Sequence, residues 1–337
     1  MTIKLCLIGI GNFGRYLSKK IKNIDDCEIT HFYHPNTEKA KTLDAQKGTS
    51  DLKSAIENVD GVIIASPNYT HYENIIDCLK ADKHIFVEKP ITSLYRDALK
   101  IKPLLISDKV FMVGHNHRRE ACFRHAKKLL DANKIGDLIS VYTNVSHGGA
   151  FTFNNSQWRY SKKRHREGPL ITGGIHLLDT IHYLFGPVES LYAKVKNISK
   201  QTQAPDSNAV MMNLKNNISV FIQSNYNMPS EDLFIIHGTE GTIYIERGKI
   251  FLRIGRDQRI NNEYVYSKTK EMEIDSIDSV KEELLEFKTA IKNNKKVETG
   301  FDEAMNALIV IEACYRSNID DKIVSLKDFD NYYEKNN

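Results

Sequence analysis

The chain has 337 residues, enough for two domains, and its 41% apolar and 27% charged content is ordinary for a globular protein. A net charge of +4 is too small to indicate nucleic-acid binding, and no run of about 18 apolar residues indicates a membrane span. The five cysteines are scattered without a CxxC pair, which favours reduced thiols in a cytoplasmic protein over disulfides or a zinc site.

The first third of the chain alternates predicted strands and helices. The N-terminal apolar run ends in a glycine turn, so it indicates a strand and not a signal peptide. Such alternation predicts an open parallel sheet, and we assign residues 1–118 to an α/β dinucleotide-binding domain. The predicted strands are 3–8, 27–34, 61–66, 84–90 and 109–116, and the predicted helices lie near 13–23, 36–46, 51–58, 72–81 and 93–106.

The rest of the chain has a different pattern. After a predicted helix near 119–133, apolar and polar residues alternate with period two in several runs, which predicts a large, mostly antiparallel sheet with one covered face. Helices are predicted near 279–293 and 301–317. We assign residues 119–337 to an α+β domain for substrate binding and oligomerisation. The predicted strands are 138–147, 190–198, 209–214, 218–226, 233–238 and 241–246.

A GxGxxG pattern follows the first predicted strand and opens the first predicted helix. In this context the first glycine permits a tight turn, the second admits a pyrophosphate close to the backbone, and the third lets helix and strand pack. The amides at the helix N-terminus then face the anion. The alternative is a tight turn without a ligand. The pattern comprises Gly9, Ile10, Gly11, Asn12, Phe13 and Gly14.

The end of the second predicted strand bears on the choice of cofactor. A carboxylate about 20 residues beyond the glycines usually binds the adenosine ribose of NAD, but His34 stands there in this chain. Nothing at that position repels a 2′-phosphate, and Lys39 offers a positive charge nearby. These residues slightly favour NADP, or the use of both NADP and NAD. The alternative is NAD bound through other contacts.

Two further motifs follow predicted strands, at the edge where such sheets bind ligands. Residues 65–71 read ASPNYTH and residues 87–90 read VEKP. A lone loop lysine is usually a solvated charge, but Lys89 at this edge is placed to point an ammonium at a substrate hydroxyl or the nicotinamide.

Together these motifs resemble the Gfo/Idh/MocA oxidoreductase family. The resemblance rests on GIGNFG, ASPNYTH and VEKP, then on WR (158–159), GPLITGGIHLLD (168–179) and the closing stretch 300–317. It spans nearly the whole chain with the motifs in order. It implies an NAD(P)-dependent enzyme that forms homodimers or homotetramers.

The resemblance also implies roles for individual positions. Glu88 would hold the cofactor, and Lys89, beside a Lys–Pro bond that is often cis, would orient the reacting hydroxyl and nicotinamide. Asn116 would contact substrate, and His176 would be the general base. The residues implied to line the nicotinamide side are Ser66, Pro67, Asn68 and His71.

The stretch 170–186 raises three possibilities: a metal site, a catalytic site, or a buried helix. His176, Asp179 and His182 follow at intervals of three, so they drift about 60° per step around a helix and converge poorly on a metal. We favour catalysis by His176 and a structural place for His182, and we expect Asp179 to orient a polar neighbour.

Thr172 stands where the family usually has aspartate. Threonine can hydrogen-bond but cannot supply the negative charge that raises the basicity of an imidazole. Three possibilities follow: His176 works without that charge, another group supplies the charge, or the chemistry differs.

The basic stretch 161–170 precedes this segment. It is either a solvated loop or part of a site for an anionic substrate group, because arginine binds carboxylate and phosphate in bidentate fashion. The candidates for that contact are Arg159, Lys163, Arg164 and Arg166.

We therefore predict an NAD(P)-dependent oxidoreductase that transfers hydride between nicotinamide and a secondary alcohol or ketone of a sugar, a cyclitol or a sugar derivative, either neutral or anionic. Two alternatives stay open: a reductase of a non-sugar substrate such as a dihydrodiol or a biliverdin-like compound, and a non-catalytic NAD(P)-sensing regulator. No metal, nucleic acid or membrane partner is expected.

Overall fold

The computed structural model describes residues 2–105, 108–255, 258–261, 263–265, 267–327 and 329. Its helices are α1 (Asn12–Ile21), α2 (Thr37–Lys41), α3 (Leu52–Glu57), α4 (His71–Lys80), α5 (Tyr95–Ile101), α6 (Ala121–Asp131), α7 (Ile175–Phe185), α8 (Ser279–Asn293) and α9 (Phe301–Asp320). Its strands are β1 (Ile3–Ile8), β2 (Cys27–Tyr33), β3 (Gly48–Thr49), β4 (Gly61–Ile64), β5 (His84–Glu88), β6 (Phe111–Gly114), β7 (Leu138–Ser146), β8 (Val188–Lys196), β9 (Ser207–Leu214), β10 (Ser219–Asn225), β11 (Glu231–Gly238), β12 (Gly241–Glu246), β13 (Lys249–Ile254), β14 (Gln258–Ile260), β15 (Glu263–Val265), β16 (Thr269–Glu271) and β17 (Val324–Ser325).

The chain divides into two compact units. Unit 1 combines the residues up to Asn116 with Asp278–Leu308, and unit 2 combines His117–Ile277 with the residues from Ile309 on. The division differs from the predicted domains, which assigned everything after residue 118 to the second domain. The reason is that a helix far along the chain packs into the first core.

Unit 1 contains a parallel sheet of six strands in the order β3-β2-β1-β4-β5-β6. This is the strand order of the doubly wound dinucleotide-binding fold, so the predicted α/β class is confirmed. The order reverses between β1 and β4. The loops after these strands therefore border the crevice in which such sheets bind ligands.

Helix α8 completes the core of unit 1. Its apolar side chains Leu284 and Phe287 are 3% and 1% exposed and belong to the same cluster as Leu5 and Phe86. The rings of Phe86 and Phe287 meet edge to face at 5.7 Å. Burial of side chains of this size contributes about 1.5–3 kcal/mol each, so α8 is an integral part of the unit.

Unit 2 contains a sheet of nine strands in the order β16-β13-β12-β11-β7-β10-β9-β8-β17. Only β7 and β10 pair in parallel among them, so the predicted mostly antiparallel sheet is confirmed. One face is covered, as the buried Met212, Val220 and Ile236 show. The short strands β3 and β13 to β17 were not predicted.

The opposite face of this sheet carries one continuous apolar row. Strand register places its members side by side across seven strands, and each is partly or largely exposed. Met211 and Phe221 are 47% and 41% exposed. The row consists of Tyr192, Met211, Phe221, Tyr142, Ile235, Tyr244 and Phe251.

None of the helices in the described part of the chain has the length and apolar character needed to cross a bilayer.

Candidate functional site

The glycine loop of unit 1 is shaped by two close approaches. Gly9 has φ of +98°, and a Cβ there would lie 2.5 Å from the Ser66 backbone nitrogen. A Cβ on Gly14 would lie 2.1 Å from the Gly9 carbonyl oxygen. In contrast, a Cβ on Gly11 would meet nothing within 4 Å. The loop is thus packed tightly where strand and helix meet and is open at its middle glycine, where a pyrophosphate needs access.

The other members of the pattern lie where an anion could meet the helix. Helix α1 begins at Asn12, and its N-cap residue Gly11 makes no side-chain cap hydrogen bond. Its first turn contains no acidic side chain. Ile10 is buried at 5% exposure, whereas Phe13 is 43% exposed. The N-terminus of α1 therefore keeps the positive end of its dipole uncompensated by a side chain.

The segment after β2 contains His34 and Lys39. The Asn36 N–H donates to His34 Nδ1 at 2.9 Å, which makes this nitrogen an acceptor. Burial, and secondarily the charge of Lys39, lower the pKa of His34, so the ring is neutral near pH 7. Lys39 is exposed. Arg15, which was not predicted, reaches this segment from α1 and donates to Thr42 Oγ1 at 2.6 Å.

His71 fastens two loops together instead of lining a groove. It is fully buried, with Nδ1 at 2.8 Å from the Pro90 carbonyl oxygen and Nε2 at 2.9 Å from that of Ser66. The predicted lining role of His71 is thus corrected to a positioning role. Ser66 Oγ accepts hydrogen bonds from Thr70 and Asn74, while Pro67 and Asn68 are at least partly exposed beside it.

Glu88 and Lys89 end β5 at the same edge of the sheet, and the Lys89–Pro90 bond is cis. Glu88 is 7% exposed, and its Oε1 has no hydrogen-bond partner among the described residues. Burial raises the pKa of Glu88 to about 7, although the charge of Lys89 opposes this shift. Lys89 itself is half-buried. A buried carboxylate oxygen without a donor is a place where a bound cofactor can supply one.

Asn116 is the last residue of unit 1 before the chain enters unit 2. Its amide Nδ2 donates to Ser279 Oγ at 3.1 Å, at the first residue of α8. The structure therefore gives Asn116 a contact inside unit 1, beside its predicted substrate role.

In unit 2 a π-helical turn, Leu170–Gly174, runs directly into α7. Insertions of this kind occur frequently at functional sites. Thr172 lies in the turn and hydrogen-bonds to the Tyr226 hydroxyl. His176 lies in the first turn of α7 and is half-buried.

The other two polar residues of the helix have partners within unit 2. Asp179 is bound by Arg118, and His182 Nδ1 is 2.8 Å from the Leu178 carbonyl oxygen one turn earlier. Both side chains therefore serve the packing of α7, as was predicted for His182.

The basic candidates differ in their surroundings. Arg166 pairs with the buried Glu167 and Glu312, and its guanidinium lies 4.3 Å from the Tyr315 ring centroid. The hypothesis that Arg166 binds substrate is therefore corrected, because its charge is already neutralised. Arg164 and Lys163 are exposed. Arg159 lies 4.4 Å over the ring of Trp158.

Two residues near the candidate base were not predicted. His117 Nδ1 is 2.8 Å from Thr180 Oγ1, and its ring centroid lies 5.5 Å from that of His176. Tyr226, buried at 5% exposure, holds Thr172 from a position 54 residues away. Neither has a local sequence signal, since each reaches the helix only through tertiary packing.

The strand order, the open glycine and the Glu88 oxygen without a donor all fit a dinucleotide. These features define unit 1 as a dinucleotide-binding domain of the kind found in NAD(P)-dependent oxidoreductases. Two family profiles match the chain. The GFO/IDH/MocA oxidoreductase profile, an NAD-binding Rossmann fold, matches residues 3–115, and the GFO/IDH/MocA C-terminal domain profile matches residues 123–244. The chain belongs to the Gfo/Idh/MocA family of oxidoreductases.

Curated relatives of the chain include sugar enzymes. It is 29% identical to 2,7-anhydro-N-acetylneuraminate hydratase of Escherichia coli, over 74% of this chain and 69% of that protein. It is 25% identical to the enzyme of the same name from Mediterraneibacter gnavus, over 97% of both chains. Glucose-6-phosphate 3-dehydrogenase of Bacillus subtilis is 28% identical, over 69% of this chain and 71% of that one.

Solved structures resemble the whole chain. Levoglucosan dehydrogenase in complex with NADH has a TM-score of 0.85 at 22% identity and covers 97% of this chain and 99% of its own. Aldose-aldose oxidoreductase from Caulobacter crescentus, with glycerol, has the same TM-score at 19% identity and covers 97% of this chain and 100% of its own. At these identities the likeness shows the fold.

Proposed function

We propose that the protein oxidises or reduces a secondary alcohol or ketone of a sugar or sugar derivative with NAD(P). The observation that carries the proposal is the match to both domains of an oxidoreductase family, together with curated relatives that are named as acting on sugars. Bound nicotinamide supplies the hydride chemistry, and the chain's own residues must bind, orient and exchange a proton.

His176 is proposed as the general base for the substrate hydroxyl. It lies in the first turn of a rigid helix, half-buried, with the His117 ring 5.5 Å away. A positioned base contributes typically about 10² to 10⁴-fold to the rate. Thr172 has no carboxylate to share with His176, and its hydroxyl is hydrogen-bonded to Tyr226.

Lys89 is proposed to orient and polarise the reacting hydroxyl from the edge of the sheet in unit 1. His71 supports this placement, because it binds the carbonyl oxygen of Pro90, the next residue. Glu88 is proposed to accept a hydrogen bond from the cofactor through its Oε1, which lacks a donor among the described residues.

A second candidate function is hydration of an anhydro-sugar without net redox change. It is favoured by the two relatives named as hydratases, one of which matches over 97% of both chains. Net reduction of the cofactor discriminates the two, since only a dehydrogenase accumulates reduced nucleotide.

The test is turnover of purified protein with NAD⁺ or NADP⁺ and a panel of sugars, cyclitols and acidic sugars, followed by the ultraviolet absorbance of the reduced cofactor. We expect His176→Asn to lose about 10²-fold or more in kcat while keeping cofactor affinity. The matched control is His31→Asn, in the middle of β2. If no substrate is converted under either readout, reduced nucleotide or sugar product, the proposed enzyme activity is wrong.

A further inference from the structure

Unit 2 contains a cluster of aromatic and basic side chains that the proposed reaction does not use. The guanidinium of Arg159 lies 4.4 Å over the Trp158 ring, and that ring meets His165 edge to face at 5.1 Å. His165 in turn stacks on Tyr226 at 6.0 Å. His147 lies on Tyr226 as well, with the ring centroids 4.6 Å apart.

We propose that Arg159, with His147, His165 and Tyr226 around it, forms a subsite for an oxyanion, a carboxylate or phosphate carried by the sugar substrate. The inference deepens the proposed function and depends on it for the identity of the ligand as a sugar.

One feature of the cluster is an imidazole whose nitrogens lack hydrogen-bond partners among the described residues. His165 is only 1% exposed, and neither of its ring nitrogens has a hydrogen-bond partner in the described part of the chain. Leaving such a group unsatisfied costs about 1–3 kcal/mol, so buried polar groups of this kind generally have a use. A ligand oxygen that accepts a hydrogen bond from the imidazole N–H removes this cost.

The charge at the cluster is positive and comes from Arg159. Arg159 is the charged group that acts on all three neighbours: it adds to the effect of burial in lowering the pKa of His147 and the pKa of His165, which is about 3. It also hydrogen-bonds to Tyr226 and acts to lower the pKa of that phenol, although burial raises it more. None of these effects comes from a carboxylate. Arg159 is exposed and has no ion pair with an acidic side chain among the described residues, so its charge favours an anionic ligand.

The acidic side chains that border the cluster are already engaged. Glu167 is paired with Arg166. The carboxylate of Asp206 accepts hydrogen bonds from the backbone of Ile198 and Ser199 and from the amide of Asn227. Arg159 is therefore available as the cation of a bidentate contact, which suits both carboxylate and phosphate.

The cluster is also linked to the segment that carries the candidate base. Tyr226 bonds Thr172, which lies in the π-helical turn four residues before His176. An oxyanion held by this cluster thus sits in the same unit as the proposed base and next to the turn that leads to it. A sugar anchored at its charged end then presents its ring hydroxyls towards α7.

The chain itself supplies the probe for the experiment, because Trp158 is its only tryptophan. Tryptophan fluorescence of the full-length protein is titrated with glucose 6-phosphate against glucose, and with N-acetylneuraminate against its methyl ester. The variants are Arg159→Gln and Arg159→Lys. The control is Lys162→Gln, which removes the same charge from an exposed position in the neighbouring loop.

We expect Arg159→Gln to weaken binding of the acidic sugar about 10- to 100-fold, Arg159→Lys to recover part of this, and neutral sugars to bind the same in all variants. Preference for the phosphate or the carboxylate probe identifies which oxyanion the subsite takes. Equal losses for acidic and neutral sugars, or the same loss in Lys162→Gln, would overturn the proposal.

Failure of the subsite and failure of the proposed function are distinguishable. Turnover of neutral sugars without any Arg159-dependent binding of acidic ones overturns the subsite and leaves the enzyme activity standing. Arg159-dependent binding without turnover of any sugar supports the subsite and overturns the activity.

Discussion

Arg118 and Asp179 form a bidentate ion pair inside unit 2. Nε of Arg118 donates to Oδ2 at 2.8 Å, and a terminal guanidinium nitrogen donates to Oδ1 at 2.6 Å. The two side chains are 7% and 0% exposed. Together with the contact between His117 and Thr180, the pair fastens the turn after β6 to α7 and fixes the two histidine rings relative to one another.

Asp179→Asn should destabilise the fold strongly. The substitution leaves the guanidinium of Arg118 buried without its counter-ion, which costs roughly 3–5 kcal/mol. Urea denaturation followed by circular dichroism measures the change. The control is Asp302→Asn, whose partner Lys102 and own side chain are 64% and 79% exposed, and which should cost about 1 kcal/mol or less. Equal effects of the two substitutions would show that the buried pair does not hold α7.

Lys39, which follows β2, and Arg15 of α1 should decide the cofactor preference. If they bind the 2′-phosphate, Lys39→Glu and Arg15→Gln weaken NADPH about 10-fold or more and change NADH little, because only NADPH carries the extra charge. Calorimetric titration with both nucleotides measures the ratio. Lys41→Gln, in the same short helix, is the matched control. Loss of both nucleotides to the same extent in Lys39→Glu would contradict a role at the 2′ position.

Glu120 should make stability depend on pH. Burial, with the nearby Asp232, raises the pKa of Glu120 from 4.5 to about 7 in the folded state. The folded chain therefore holds this proton longer than the unfolded chain. Below pH 4.5 Glu120 is protonated in both the folded and the unfolded chain and does not lower the free energy of unfolding. That free energy declines as the pH rises from 4.5 through about 7.

Glu120→Gln removes that decline. We expect the variant to be more stable than the parent at pH 8 by roughly 1–3 kcal/mol and indistinguishable at pH 4.5. Unfolding midpoints across this pH range measure the effect. Glu246→Gln, on an exposed strand position, is the control and should leave the curve unchanged. A Glu120→Gln curve parallel to that of the parent would mean that the carboxylate does not titrate in this range.

The apolar row on the open face of the unit 2 sheet should pair with a second copy of the chain, in line with the predicted homodimer or homotetramer. Phe221→Lys places a charge in the middle of that row and should lower the oligomeric state measured by light scattering, because burying an unpaired ammonium is costly. Ile198→Lys, at a residue 57% exposed outside the row, is the control. A parent protein that is monomeric at micromolar concentration would refute the pairing.

Elements with strong local signals could be predicted well. Helix α8 begins at Ser279 as expected, because Asp278 caps it and accepts from the Lys281 N–H. Strand β12 was predicted with its observed bounds. What the pattern of α8 could not reveal is its partner. An amphipathic helix shows that one face is buried but not which core receives it.

The site was predictable to the extent that its residues lie in contiguous motifs. Gly9 and Gly14 occupy positions whose backbone approaches require glycine. His71 belongs to a recognisable motif, but its role depends on a carbonyl oxygen 19 residues away. Tyr226 and His165 meet only because separate loops fold over the same sheet. No spacing of residues in the sequence predicts such contacts.

The membership of α8 in the first core has a consequence for synthesis on the ribosome. The cluster that contains Leu5 and Phe86 is closed by Leu284 and Phe287, which are made only after strands β7 to β16. The nucleotide-binding unit therefore stays incomplete while these strands emerge, and we expect α8 to join the core late. A fragment ending at residue 118 should expose the Phe86 ring and aggregate. A fragment in which residues 278–308 are joined to residues 2–116 through a short glycine-rich linker should stay soluble and bind dinucleotide by itself.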